Sequence, residues 1–355
     1  MMVGGTSKLR VGVIFGGRSA EREVSVTSAR AVMAAMDWKR YEIVPILITQ
    51  DGRWLSPERT ERFLSQGEAG DPPNGVIELP AMGRLVDVAF PLVHGTYGED
   101  GTLQGALEMM DIPYVGCGVL ASALGMDKVV QKTLFRMRGL PIADFVAFKS
   151  HDLSADRRGA LARVEAQIGF PCFVKPANLG SSVGISKARN EEALEGAISV
   201  ALRYDEKVIV EEAIIGRELE CSVLGNEEPE VSCLGEIVPV GEFYDYDAKY
   251  VDDSAHLIFP AKVEPDLEAE ARRLAIEAFK AIDGSGMARV DFFLRGSDGK
   301  LIINEVNTIP GFTRISMYPK LWEASGVSYA ELLDRLIQLA LARHRRDKKL
   351  KTTYD

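Results

Sequence analysis

The chain is poor in the residues that build disulfide scaffolds and zinc sites. Its four cysteines, Cys117, Cys172, Cys221 and Cys233, form no CxxC pair among 355 residues, and its four histidines, His94, His151, His256 and His344, are scattered. No zinc motif is visible, and the cysteines read as buried thiols of a reducing compartment. Positive charge is short too. The 42 Lys and Arg against 52 Asp and Glu leave a net charge of −10, so no basic face for nucleic acid is expected. No apolar run is long enough to span a bilayer, and no N-terminal segment has the pattern of a signal peptide. The reading is a cytoplasmic protein with no nucleic-acid and no membrane partner. Two phosphate-loop signatures are also missing. The turn Gly16-Gly17-Arg18-Ser19 lacks GxGxxG spacing, which argues against a nicotinamide enzyme, and no helix opens at the GK[ST] of a Walker loop.

What is present is the composition of a soluble enzyme: 46% apolar and 26% charged residues, with 33 glycines. The length suggests about two or three domains. The start alternates strand and helix. Strands are expected at 9–15, 41–48 and 86–93, a helix carrying Val26, Ala29, Met33 and Met36, and another through Leu103 and Leu107. That alternation implies a parallel sheet with its working loops at the strand C-termini. Residues 51–85 read as a surface insertion. Residues 126–137 look helical. Strands at 144–148, 172–174, 183–187 and 207–210 and helices at 156–168 and 191–203 make a small α+β unit. Strands at 217–224 and 231–240, a long polar loop over 241–260, and a helix with Leu267, Ala271, Leu274 and Ala278 follow. A hairpin pairs 287–294 with 301–306, turning at Ser297-Asp298-Gly299. Leu333, Leu336, Ile337 and Ala340 mark a closing helix. The basic run 343–351 reads as a solvated tail.

The hairpin carries the strongest chemistry. Side chains alternate along a strand, so Arg289 shares a face with Asp291, and Glu305 with Asn307. Two carboxylates and an amide suit Mg2+, which takes one or two protein carboxylates and keeps phosphates and water. An exposed sheet face of ordinary charges is the other reading, set against the apolar neighbours Phe292, Phe293 and Ile303. Lys175 ends an apolar strand before the loop Gly180-Ser181-Ser182, whose amides and hydroxyls can wrap phosphate oxygens; a plain hairpin turn is the alternative. Lys128, Glu211, Glu212 and Glu218 are either solvated charges or nucleotide contacts. Glu21, at a helix start, suits either the helix dipole or an ammonium partner. His94 follows a core strand in a glycine-rich loop, and the segment Pro310-Gly311 to Ser316-Met317 offers amides and a hydroxyl for an oxyanion or carboxylate, or serves as a capping loop.

In order along the chain, GGRSAEREVS, HGTYGEDGTLQG, MDK, KPANLGSSVGI, FYDYDAKY, ARVDFF and NEVNTIPGFTRIS resemble the ATP-grasp superfamily and, within it, the D-alanine–D-alanine ligases. The match runs from Gly16 to about Ile337. The resemblance implies α/β and α+β architecture: an N-terminal parallel α/β domain (1–116), a small central α+β domain (117–210) and a C-terminal domain with a mixed sheet (211–355). It implies ATP and two Mg2+ ions, with Mn2+ able to substitute, two D-alanine substrates, and a homodimer. Lys128 and Lys175 would meet the nucleotide phosphates, Glu211 the adenine amino group, the backbone of Glu212 and Ile214 the ring, and Glu218 the ribose, with Ser181, Ser182 and Lys249 also binding the nucleotide. Asp291, Glu305 and Asn307 would hold metal. Glu21 would take the ammonium of the first D-alanine near His94. Ser181 and Tyr250 would join Glu21 to close the loop 241–260. Arg289 and the amide of Gly311 would form the oxyanion hole. Ser316 and the amide of Met317 would take the second carboxylate. The expected reaction makes D-alanyl-D-alanine, a peptidoglycan precursor, through an acyl phosphate. Tyr250 favours D-alanine over D-lactate as acceptor. Ile309 departs from the Ser or Thr often found before Pro-Gly. Another ATP-grasp ligase with a different acceptor and a nucleotide-binding regulatory protein are the competing readings.

Overall fold

A computed structural model describes residues 8–67, 75–180, 183–238 and 256–351. Three sheets organise them. The first is parallel, with Leu9–Gly16 between Tyr41–Ile48 and Val88–Pro91. All three strands are apolar and largely buried on both faces, as parallel strands covered by helices require. The central strand and Val88–Pro91 are neighbours, so the loops after them, with Ser19 and His94, emerge side by side. Ser19 Oγ donates to the His94 carbonyl at 2.6 Å.

The helix Arg22–Ala35 lies where expected, but its buried face is Val24, Ser25, Ser28, Ala29 and Val32, while Val26 and Met33 are half-buried. Serine wins those places because it satisfies backbone at the strand ends. Ser25 Oγ accepts from Gly16 N at 2.7 Å and donates to the Leu92 carbonyl at 2.6 Å. The 51–85 segment is more than a surface insertion. It forms the helix Pro57–Gln66 and a short helix Met82–Leu85, and it buries Thr60, Ile77 and Met82. Thr60 Oγ1 accepts from Leu47 N at 3.1 Å, so a hydroxyl docks the insertion on the sheet edge.

The second sheet is antiparallel in the order Phe145–Lys149, Lys207–Glu212, Cys172–Pro176, Ser186–Ala188. Helices Arg157–Gln167 and Glu191–Ala201 supply Leu161, Val164, Leu194 and Ile198 to its core, and a short helix Ser150–Ala155 was not anticipated. Strand Lys207–Glu212 runs across the expected 210/211 cut, and we place the boundary after Glu212.

The third sheet has the order His256–Ile258, Gly235–Val238, Gly216–Gly225, Gly286–Arg295, Leu301–Asn307, with Glu230–Val231 paired beside Gly216–Gly225. The ladders between these strands are antiparallel, and the parallel pairing of the expected mixed sheet is confined, among the described residues, to a single bridge from Ile142 to Ile303 on the edge strand. Hairpins join neighbours such as Gly286–Arg295 and Leu301–Asn307, and a hairpin admits only the antiparallel direction. The strand expected over 231–240 is interrupted. Ser232 Oγ accepts from Ser222 N at 2.9 Å, and Cys233 N donates to Ser325 Oγ at 2.8 Å, so side-chain hydroxyls replace the ladder there.

The helix expected over 126–137 is present as Lys128–Met137, and a second helix that was not anticipated, Val119–Met126, precedes it. Asp127 between them is extended and caps Lys128–Met137, accepting from Val129 N and Val130 N at 3.1 Å each. The helix Met317–Ala324 was not anticipated. With Tyr329–Asp347 it packs Tyr318, Trp322, Leu332 and Leu336 against the N-terminal sheet. Phe312 stands edge-on to Phe90, with ring centroids 5.8 Å apart. The basic run is not a tail at its start. Arg343 is buried and donates to the carbonyls of Tyr114, at 3.0 Å, and Gly116, and to Ser285 Oγ at 2.7 Å.

Candidate active site

A cleft of about 500 Å³ opens between the second and third sheets, within the range of small-molecule sites. Its floor is the hairpin. Register sets Arg289 opposite Asn307 and Asp291 opposite Glu305, with a β-bulge immediately after Asp291. The expected juxtaposition of Arg, two carboxylates and an amide is therefore real, and it is not an exposed sheet face: Asp291 is 8% exposed. Arg289 grips Asp291 with two 2.7 Å bonds, from Nε and Nη2. Its Nε also lies 3.0 Å from Glu220 Oε2 on the adjoining strand. Asn307 Oδ1 accepts from Ile309 N at 3.2 Å, which turns the chain toward the Pro310 loop.

The Lys128–Met137 helix is fixed to this floor by a buried amide. Gln131 Nε2 donates to the Val306 carbonyl at 2.9 Å, and its Oε1 accepts from Val306 N at 3.1 Å. That clamp brings Lys128 to Glu305, Nζ to Oε2 3.0 Å, and to the Leu179 carbonyl at 3.0 Å. Burial lowers the ammonium's pKa, but Glu305 raises it further, and the net direction is up.

Glu211, next to last in its strand, lies between two lysines: Lys175 Nζ at 2.6 Å from Oε2 and Lys132 Nζ at 3.1 Å from Oε1. Burial raises its pKa, yet the two cations outweigh burial and bring it down to about 2. For Lys132 burial wins over the attraction of Glu211, with Lys175 adding to the fall, and its pKa is lowered. Glu212 points elsewhere. It accepts from Asp144 N at 3.1 Å and Arg295 Nη2 at 3.0 Å, and its own N–H donates to the Asp144 carbonyl at 3.0 Å. Glu212, Ile214 and Glu218 all line the cleft.

Glu21 and His94 form a second group. Glu21 is buried, and a Cβ added at Gly95, where φ is +72°, would come within 2.6 Å of Glu21 Oε2, so that loop accepts only glycine. His94 is buried and spans three segments. Its Nδ1 meets the Ile309 carbonyl at 3.1 Å and therefore carries a proton; it also lies 3.5 Å from Glu99 Oε1. Its Nε2 lies 3.3 Å from Ser28 Oγ, which also accepts from Phe312 N at 3.3 Å. Burial pulls the His94 pKa down, Glu99 and then Glu21 push it up, and the net shift is upward. His94 thus ties the Glu21 helix to the loop carrying Gly311. In that loop a Cβ on Gly311 would lie 2.8 Å from Ser316 Oγ. Ser316 Oγ accepts from Thr313 N at 3.0 Å and lies 2.7 Å from Thr313 Oγ1, and Met317 opens the helix that follows. Gly180 joins the two groups, its added Cβ 3.2 Å from Glu21 Oε2. Ser181, Ser182, Lys249 and Tyr250 lie outside the described residues.

Sequence reading missed Lys132, Glu220, Glu99 and Ser28. Two signals were available. Lys132 is four residues after Lys128, hence on the same helix face. Glu220 is two after Glu218 and shares its side of the strand.

Among the described residues no three His, Cys, Asp or Glu side chains converge into a metal cage. The pair Asp291 and Glu305 with the Asn307 amide fits a hard cation completed by phosphate oxygens.

Family models describing the N-terminus and the C-terminus of D-ala D-ala ligases match residues 10–117 and 134–338. The D-alanine–D-alanine ligase of Bacillus licheniformis is 49% identical over 98% of this chain and 100% of its own length. That of Halothermothrix orenii is 48% identical over 94% and 99%. Among solved structures, the D-alanine–D-alanine ligase from Coxiella burnetii aligns with a TM-score of 0.83, 38% identity and 97% of each chain. The VanG D-Ala:D-Ser ligase from Enterococcus faecalis aligns with 0.82, 36%, and 94% and 100%. The expected fold class is the one observed, and the chain belongs to the D-alanine–D-alanine ligase family.

Proposed function

We propose that this chain joins two D-alanines into D-alanyl-D-alanine, with ATP converted to ADP and phosphate, to supply a cell-wall precursor. The observation that carries the reading is the register of the hairpin, Arg289 with Asn307 and Asp291 with Glu305, on the buried floor of a cleft beside Lys128. Asp291, Glu305 and Asn307 would hold Mg2+, two ions in this reading, which would supply charge neutralisation to the phosphates. The first D-alanine's carboxylate attacks the γ-phosphate, and the acyl carbon of the resulting acyl phosphate is then attacked by the second amine. A tetrahedral intermediate expels phosphate.

The side chains act by position and charge. Lys128 and Lys175, each an ammonium within 3.0 Å of a cleft carboxylate, turn to the phosphates, with Ser181, Ser182 and Lys249. Glu211 accepts from the adenine amino group, Ile214 and Glu212 border the ring, and Glu218 faces the ribose. Glu21, beside His94, holds the first ammonium. Arg289 and the Gly311 amide face the developing oxyanion, where one preorganised donor is worth about 3–4 kcal/mol. Ser316 and the Met317 amide receive the second carboxylate, and Tyr250 closes the loop with Ser181. A cytoplasmic location and a homodimer complete the reading; no described helix is long and apolar enough to cross a membrane.

The acceptor is the point to test, because the VanG D-Ala:D-Ser ligase is similar in fold. The 49% identity to D-alanine–D-alanine ligases favours D-alanine. With ATP, Mg2+ and D-alanine held fixed, added D-serine or D-lactate should divert only a minor share of product at neutral pH. Equal incorporation of either one contradicts the acceptor assignment.

A further inference from the structure

Glu220 has no place in the scheme above, yet it stands at its centre. On Gly216–Gly225 it is paired in register with Asp291, which is in turn paired with Glu305. Three carboxylates therefore lie abreast on three adjacent strands, about 5 Å apart strand to strand. Glu220 and Asp291 are 6% and 8% exposed. Like charges opposite one another on a sheet repel, so this row needs a cation built into it. The structure supplies two. Lys128 serves Glu305, and Arg289 serves both Asp291, with two bonds of 2.7 Å, and Glu220, at 3.0 Å. Glu236, which also lines the cleft, is held in a fork by Arg217 at 2.7 Å and 2.7 Å.

Arg289 is asked to do two incompatible things. It binds both oxygens of Asp291, and Asp291 must turn those oxygens to a cation. A guanidinium with no other anion would either compete for Asp291 or swing away from the acyl carbon. We propose that Glu220 is the positioning residue that resolves this conflict: it is the anion that keeps Arg289 in place when Asp291 turns to metal. The proposal rests on the metal and oxyanion roles given above to Asp291 and Arg289. It makes two demands that a merely structural glutamate would not. Removing the Glu220 charge should weaken cation binding at a distance, because Arg289 then leans wholly on Asp291. It should also slow turnover without weakening nucleotide binding in proportion.

The test uses the full chain with Glu220→Gln and Glu220→Asp. Mn2+ is titrated in the presence of β,γ-imido-ATP and followed by its electron paramagnetic resonance signal. Steady-state kinetics with Mg2+, ATP and D-alanine run alongside, and thermal unfolding is recorded. Glu220→Gln should raise the Mn2+ dissociation constant about tenfold, as loss of a partner behind a metal ligand does. It should lower kcat by about tenfold to a hundredfold, with a much smaller change in the KM for ATP. Glu220→Asp, which keeps the charge, should recover most of the Mn2+ affinity. If Glu220→Gln does not fold, Glu220→Asp carries the test: Mn2+ affinity well above that of Asp291→Asn together with lowered kcat supports the proposal, and wild-type kcat overturns it. A folded Glu220→Gln protein with wild-type Mn2+ affinity and kcat overturns the proposal, whatever its melting temperature. An Asp291→Asn control that binds Mn2+ as the wild type does overturns the metal reading beneath it.

Discussion

Glu211 shows what a single residue contributes here. Lys132 and Lys175 hold its carboxyl at about 2 against an ordinary 4.5. A carboxyl whose folded pKa lies below its unfolded one adds stability that is complete above the unfolded value and is lost as pH falls toward the folded one. The stability gap between wild type and Glu211→Gln, measured by urea unfolding, should therefore be widest near neutrality and narrow from about pH 5 downward. A gap that widens with acid would contradict the ion pair. Lys132→Met should cost about 1–3 kcal/mol in the same assay, because it strips one cation from a buried carboxylate, and should raise the KM for ATP. Sequence reading picked out Lys128, Lys175 and Glu211 but not Lys132. Lys175 and Glu211 sit near strand ends and Lys128 at a helix start within the MDK motif; Lys132 lies inside that helix, where a lysine ordinarily faces water.

At the scale of elements, the lysines of the cleft depend on a cap. Asp127 starts the Lys128–Met137 helix and also pairs with Lys207 of the neighbouring sheet. Asp127→Ala should cost about 1–2 kcal/mol of stability and should weaken ATP more than D-alanine, because Lys128 and Lys132 both ride on that helix. Equal losses for the two substrates would argue that the cap does not set the lysines. Strand and helix positions were legible where apolar runs were bounded by glycine or proline, as at Cys172–Pro176 and Pro265–Ala281. Several of the misses share one cause. Asp127, Ser232 and Ser25 divert backbone hydrogen bonds to side chains, and periodicity of apolar residues cannot register that.

Over the whole molecule, the last helix binds the units together. Leu333, Leu336, Ile337 and Ala340 are buried, and the same spacing carries on to Arg343, so the buried stripe was visible through the basic run that masked it. Arg343 meets Tyr114 of the N-terminal unit and Ser285 beside the third sheet. Arg343→Ala should lower stability by about 1–3 kcal/mol, because it leaves buried carbonyls without a donor; an unchanged unfolding midpoint would return the run to a solvated role. The three-sheet plan and the order of the motifs could be read from the chain, while the burial of the cleft floor came only from seeing how the sheets face one another. What that floor is for can be measured directly: phosphate and dipeptide formed from ATP, Mg2+ and D-alanine by the wild type and by Glu305→Gln. Phosphate and D-alanyl-D-alanine should appear one for one, only when all three components are present, and Glu305→Gln should form neither while remaining folded. Phosphate release that ignores D-alanine, or a Glu305→Gln protein that works as well as the wild type, would contradict the account.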